Sequence, residues 1–193
     1  MILLRVLFLS VFKPKAIPRD TIEKYIFRYG FIFILIRWLY YSLVFSLFRD
    51  YKNDWSPFLN PPFGLTIETY AFWQSKLAVL FGFLLMMLIA GCLSVYIKLK
   101  NKQSISSIKI LNILGFAYFV PFIILQPLDS LTIAFFGWNP LIIVPLHTAF
   151  LMWEAIVSII LINRVVPFNK IDGFICVCIQ LLIWISLCAI LWR

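Results

Sequence analysis

Five long stretches of the chain consist almost entirely of apolar side chains and are separated by short polar links. They cover residues 25–48, 72–97, 108–136, 141–162 and 174–192. Each reaches the roughly 20 residues that an α-helix needs to cross a hydrocarbon core of about 30 Å. Apolar and polar side chains do not alternate within them, as they would in the strands of a membrane barrel. The pattern predicts an all-α polytopic bundle with five transmembrane spans.

A shorter apolar segment precedes the first of these stretches. It covers about ten residues, 3–12, which is too few to span a bilayer, and Arg5 interrupts it. Pro14 and Pro18 follow and end any regular helix there. We interpret this part as an N-terminal interfacial segment. The chain therefore divides into a cytoplasmic or interfacial segment, 1–24, and a five-helix transmembrane domain, 25–193.

The composition agrees with this division. Apolar residues make up 63% of the chain and charged residues 13%, against about 45–50% and 25% in soluble domains. These values exclude both a water-soluble domain with a single core and a disordered chain. They also leave no polar face for a nucleic-acid footprint, so we expect membrane lipids rather than nucleic acid as partners.

The basic residues are distributed unequally between the two sides of the predicted bundle. Twelve of the 17 lysines and arginines lie on one side, in or within four residues of the N-terminal segment, the link between spans two and three, and the link between spans four and five, whereas four lie on the opposite side. The positive-inside rule then places the N-terminus in the cytoplasm and the C-terminus outside, in an integral membrane protein. We expect the basic cytoplasmic side to attract anionic headgroups.

Two charged residues fall near the middle of predicted spans. Arg37 lies nine residues beyond Arg28, and Glu154 lies ten residues before Arg164, which puts both about 15 Å from the cytoplasmic edge. An isolated charge at that depth costs at least about 2.5–3.5 kcal/mol. We predict an intramembrane ion pair that fixes the register of the first and fourth helices. A gating or ion-coupling role, and the absence of any contact, are the alternatives.

The polar residues near the external ends of spans three and four are Gln126, Asp129 and His147. We interpret them as an external polar rim that faces lipid headgroups. Metal binding needs three or four convergent ligands, and the cysteines show no zinc-type spacing. We therefore predict no metal site. The chain also lacks nucleophile, phosphate-loop, metalloprotease and dinucleotide motifs, so we expect no catalytic residues, no enzyme activity and no cofactor.

Two further features concern helix packing. Ala78, Gly82, Ala90 and Ser94 recur at multiples of four in the second span, a spacing that lets another helix approach closely. Pro121 and Pro127 lie inside the third span, where each removes a helical hydrogen-bond donor. They predict a possible helix break or a packing kink there. A broken helix would suit a membrane cavity.

The pattern resembles the Yip family, the five-span membrane proteins that interact with Rab GTPases and have many prokaryotic relatives. The resemblance covers about residues 8–190 and rests on three stretches: 12–14 (Phe-Lys-Pro), 102–121 and 153–172. In the family a polar loop leads into a third helix in which a Gly/Ala-Tyr pair precedes a proline, as Ala117-Tyr118 precedes Pro121 here. The chain lacks the long acidic N-terminal region of the eukaryotic members, so it is most similar to a prokaryotic-type member.

The resemblance implies a location in the cell (inner) membrane. It also implies a scaffold or adaptor that binds partner proteins or shapes the bilayer. We therefore expect a protein partner or a homo-oligomer. The alternative function is a small-solute or ion transporter or channel subunit that uses Arg37 and Glu154. A hydrated cavity that reaches these charges would favour transport, and a dry core would favour the scaffold.

Overall fold

The regular structure in the described part of the chain is helical. The structure, a computed structural model, describes residues 2–47, 66–100, 104–137 and 139–191. Within these ranges seven α-helices follow one another: α1 Ile2–Phe12, α2 Arg19–Thr21, α3 Phe27–Leu47, α4 Ile67–Lys100, α5 Ser107–Phe136, α6 Pro140–Val165 and α7 Lys170–Leu191. The prediction of an all-α fold is confirmed.

Among the described residues, four helical stretches are long and apolar enough to cross a membrane: Arg19–Leu43, Lys76–Lys100, Ser107–Phe136 and Leu141–Val165. They coincide with the first four predicted stretches and are compatible with an integral membrane protein. Over the fifth stretch α7 forms a helix of 22 residues.

Two helices begin earlier than the hydropathy pattern predicts. The backbone N–H of Thr69 donates to Thr66 Oγ1 at 3.2 Å, so Thr66 caps α4, which starts at Ile67 rather than at residue 72. Helix α3 is likewise preceded by α2, which lies in the predicted N-terminal segment, and by a π-helical turn, Ile22–Ile26, which crosses the predicted boundary at residue 24. Polar capping residues and charged first turns belong to the helix without being apolar, so a hydropathy pattern misses them.

Helix α5 lies at the centre of the bundle. It packs against α1, α3, α4 and α6, while α7 packs against α4 and α6. All the residues in 110–119 are buried, as expected for a helix that is apolar on every side. Positions along α5 therefore determine which residues of the other helices meet in the core.

Helices α3 and α5 run side by side in the same direction. Their hydrogen bonds from Phe31 to Asn112 and from Arg37 to Tyr118 both join residues 81 positions apart. The backbones touch at the crossing, because a Cβ on Gly30 would collide with the Asn112 carbonyl and a Cβ on Gly115 with the Gly30 carbonyl. Two glycines thus set the helix separation there.

The N-terminal helix α1 joins the bundle. Its residues Val6, Leu7 and Val11 are buried, and it packs against α5 and α6. The ring of Phe12 lies 5.7 Å from that of Trp153 in an edge-on contact. The predicted interfacial segment therefore makes tertiary contacts that its sequence did not indicate.

The two prolines of α5 do not interrupt it. The helix is continuous from Ser107 to Phe136 with Pro121 and Pro127 inside, so the possible helix break is absent at the backbone level. Pro121 has no N–H for the carbonyl four residues earlier, that of Ala117, and its ring crowds the turn that precedes it. The Tyr118 carbonyl, in the turn before Pro121, accepts a hydrogen bond from Arg37 Nη1 at 2.8 Å. This side chain supplies a donor in that turn.

Candidate functional site

The structure brings Arg37 of α3 and Glu154 of α6 into direct contact. Arg37 Nη1 lies 2.9 Å from Glu154 Oε1, and Nη2 lies 3.4 Å from Oε2. The residues are 6% and 1% exposed. Two near-parallel hydrogen bonds between an arginine and a carboxylate form the strongest geometry for such a pair. The predicted partners therefore meet, in a part of the bundle enclosed by protein.

Four aromatic rings surround the guanidinium of Arg37. Its Cζ lies 4.7 Å from the centre of the Phe122 ring and 5.3 Å from that of Tyr118. The rings of Trp38 and Trp184 are each 5.6 Å away. Ring faces attract a cation, most strongly where water is excluded. Three helices, α3, α5 and α7, thus supply a desolvated lining for one charge.

A second set of buried polar groups adjoins the ion pair. Tyr118 donates its hydroxyl to Gln180 Oε1 at 2.8 Å, and Ser158 Oγ donates to the same oxygen at 2.9 Å. Gln180 Nε2 donates to the Cys176 carbonyl at 3.3 Å. Buried polar groups are tolerated when they are hydrogen-bonded. We call Arg37, Tyr118, Glu154, Ser158 and Gln180 the central polar cluster; it links α3, α5, α6 and α7.

One buried donor of this cluster is not used. Arg37 Nε makes no hydrogen bond with any described residue. The guanidinium directs its two Nη groups to Glu154 and Tyr118 instead. The cluster can hold a charge in place, and it offers polar groups in succession from α3 to α7.

The predicted external rim comes together only in part. His147 Nε2 lies 2.8 Å from Asp129 Oδ2, which joins α6 to α5 near the hairpin. The Gln126 side chain is partly buried and makes no hydrogen bond within the described ranges; its carbonyl accepts from Ser130 Oγ at 3.1 Å. No group of three or more His, Cys, Asp or Glu side chains that could hold a metal ion occurs among the described residues.

The predicted packing residues of α4 face the bundle. Ala78 and Ala90 are each 1% exposed. A Cβ on Gly82 would collide with the indole of Trp38, so this glycine makes room for one wall of the guanidinium lining. Ser94 Oγ donates to the Ile105 carbonyl at 2.7 Å, which ties α4 to the link before α5.

Sequence reasoning missed the aromatic lining and most of the second set of polar groups. Ser158 and Gln180 are isolated polar residues within apolar stretches of the sequence, although helix counting puts Gln180 about 15 Å from Lys170. That depth matches Arg37 and was a usable signal. Pro145 inside α6 was also overlooked.

The fold and the cluster define a helical bundle compatible with an integral membrane protein. No protein-family model, no curated protein and no solved structure matches this chain.

Proposed function

We propose that this chain is a five-span integral membrane scaffold of the Yip type, with its N-terminus in the cytoplasm of a prokaryotic cell, its C-terminus outside and no catalytic step. In this topology α7 is the fifth span, and 25–193 form one transmembrane domain. Support comes from the five helices that lie over the five apolar stretches and from the unequal distribution of bases.

One observation carries the proposal: the two charged side chains in the core are paired with each other and almost fully buried. Arg37 and Glu154 neutralise each other at 2.9 Å and are at most 6% exposed. A transported ion or solute needs a path that wets such groups. A charged pair enclosed by aromatic rings is instead typical of a rigid core, in a protein that binds its partners at the surface.

The surface that would meet partners is the basic one. We call the helix ends that carry Lys98, Lys100, Lys109, Arg164 and Lys170 the basic end. The hydrogen bond from Tyr96 to Asp172 joins α4 to α7 there. Each base near an anionic bilayer adds about 1 kcal/mol of attraction. Anionic headgroups, a protein partner or a second copy of the chain are the proposed occupants.

A liposome experiment tests the proposal. Full-length protein is reconstituted and flux of protons, Na⁺, K⁺ and small neutral solutes is followed, with Arg37→Leu as the matched variant. The scaffold proposal expects no flux above protein-free liposomes for either protein. Flux that depends on Arg37 would contradict it. Affinity purification in mild detergent followed by mass spectrometry then identifies the partner.

A transporter or channel subunit is the second candidate. The observation in its favour is that the central polar cluster joins four helices, with an unused donor at Arg37 Nε. Charged and polar groups in succession are typical of proton and ion pathways. The flux experiment separates the two, because only this candidate expects a charge-sensitive signal.

A further inference from the structure

A cavity at the basic end is not part of the central polar cluster. It has a volume of about 340 Å³. Its polar lining comes from α2, the π-helical turn, the link before α5 and the first turn of α5, namely Arg19, Glu23, Ser104 and Lys109. Each of these four segments therefore contributes one charged side chain or hydroxyl group.

The two cations of the cavity keep donors available. Arg19 uses Nε to bond Glu23 Oε1 at 2.9 Å, and its Nη groups make no hydrogen bond within the described ranges. Lys109 Nζ stands 5.1 Å from the centre of the Phe27 ring and has no acidic partner in the described part of the chain. One carboxylate therefore faces two cations, which leaves the lining with a net positive charge.

The floor of the cavity is apolar. Ile105, Val165 and Val166 line it and are 3%, 6% and 4% exposed. A fully hydrated free anion gains nothing from such a floor. A phosphate ester has a charged end for the cations and an uncharged end for the apolar side chains.

We propose that this cavity binds the phosphoryl group of an anionic lipid headgroup, with Arg19 and Lys109 as its charged ligands. The inference rests on the proposed membrane placement, in which the basic end faces the cytoplasmic leaflet. Ser104 supplies a hydroxyl donor, and Glu23 orients the Arg19 side chain while opposing the anion. The site selects a phosphate with an exposed negative charge over a zwitterionic headgroup.

The test is native mass spectrometry of the full-length protein released from detergent with dioleoyl phosphatidic acid or dioleoyl phosphatidylcholine. The electrolyte is ammonium acetate at about 0.2 M, so that charges more than about 8 Å apart are screened. We expect one phosphatidic acid to be retained per chain, with no retention of phosphatidylcholine. Arg19→Gln and Lys109→Gln are each expected to weaken retention about fivefold. Lys109→Arg is expected to restore it.

Matched variants distinguish binding in this cavity from a diffuse attraction of the lipid to all the bases of the basic end. Lys170→Gln removes the same charge at the same end without touching the cavity, and is expected to change retention less than about twofold. Glu23→Gln removes the opposing charge and is expected to tighten binding. Equal losses for Lys170→Gln and Lys109→Gln would overturn the proposal, because they would show a diffuse attraction only.

A final arm distinguishes the source of the phosphoryl group. Inorganic phosphate at millimolar concentration is added to lipid-free protein and thermal unfolding is followed. No stabilisation supports the lipid assignment, whereas stabilisation that Lys109→Gln abolishes would assign free phosphate instead and overturn it. The outcome is independent of the flux measurement, so failure of this site and failure of the scaffold proposal are told apart.

Discussion

The effect of Arg37 on the free energy of unfolding of the bundle depends on its partner, Glu154. Removing one member of a buried pair leaves an uncompensated charge, which destabilises a protein by about 3–5 kcal/mol, whereas replacing both with apolar groups is often neutral. The Arg37–Glu154 pair, 2.9 Å apart and almost fully enclosed, belongs to this class. The exposed Arg19–Glu23 pair, whose side chains are 61% and 48% accessible, does not.

We predict that Arg37→Leu and Glu154→Leu each lower the free energy of unfolding by about 3–5 kcal/mol. The double variant Arg37→Leu/Glu154→Leu is expected to lose less than either single change. The charge swap Arg37→Glu/Glu154→Arg should recover part of the loss. Denaturant titration in detergent measures these four variants together with the single changes Arg37→Glu and Glu154→Arg. Arg19→Leu, expected to lose at most about 1 kcal/mol, is the control. A swap no better than either reversed single change would refute the pairing.

A second residue-scale prediction concerns Tyr118, whose hydroxyl donates to Gln180 at 2.8 Å. Tyr118→Phe keeps the ring against Arg37 and removes only this hydrogen bond, so we expect a loss of about 0.6–2 kcal/mol. Tyr40→Phe is the control, because the Tyr40 hydroxyl makes no hydrogen bond to any described residue. Equal stability of the two variants in the same titration would count against the contribution of the cluster.

At this scale the sequence predicts how deep a residue lies in its span, but it does not predict which side chains of other helices contact it. Counting residues from the flanking bases placed Arg37 and Glu154 at one depth, and they meet. The same count does not say which helices adjoin, so it could not pair Tyr118 with Gln180 or gather four rings around one guanidinium. Those contacts depend on how the helices rotate about their axes.

At the scale of elements, the backbones of α3 and α5 approach each other closely where they cross, because glycines lie at the contact. Gly30 and Gly115 face each other across it, and the Asn112 side chain accepts a hydrogen bond from the Phe31 backbone at 2.8 Å. Because a methyl group on either glycine meets backbone, the helices themselves would have to move apart. The small residues that recur at multiples of four in the sequence lie within one helix, whereas Gly30 and Gly115 lie on two different helices.

We predict that Gly30→Ala and Gly115→Ala each destabilise the bundle by about 1–3 kcal/mol through overpacking. Gly91→Ala is the matched control, since a methyl group there meets no atom within 4 Å. Its expected effect lies between neutral and a gain of at most about 1 kcal/mol from helix propensity. The midpoint of thermal unfolding in detergent ranks the three, and a Gly91→Ala loss as large as the others would contradict the crossing.

The observed helix ends differ from those that the hydropathy pattern predicts. The apolar stretches located α3 to α7, but the Thr66 cap, the π-helical turn at Ile22–Ile26 and the docking of α1 are absent from any count of apolar residues. Caps depend on a single side-chain oxygen, and docking depends on which groove the folded helices leave open. Docking arises only after the bundle forms, whereas the cap is a local interaction that adds nothing to a count of apolar residues.

At the scale of the whole molecule, two independent patterns support one topology. The apolar stretches predict an odd number of spans, and only an odd number keeps twelve bases on one side against four on the other. The scaffold proposal and the lipid site both depend on this arrangement. A wrong topology would separate the basic end from the leaflet that attracts it.

The most direct measurement is labelling of single cysteines by a membrane-impermeant maleimide in sealed, right-side-out vesicles. The native cysteines, Cys92, Cys176, Cys178 and Cys188, are first replaced by alanine. Probes then stand at Lys15 in the N-terminal segment, at Lys170 of the basic end, at Asn139 in the α5–α6 hairpin, and directly after Arg193. We predict that the Asn139 and C-terminal probes react in intact vesicles and that the other two react only after permeabilisation. Labelling of the Lys15 and C-terminal probes from the same face would contradict the five-span account.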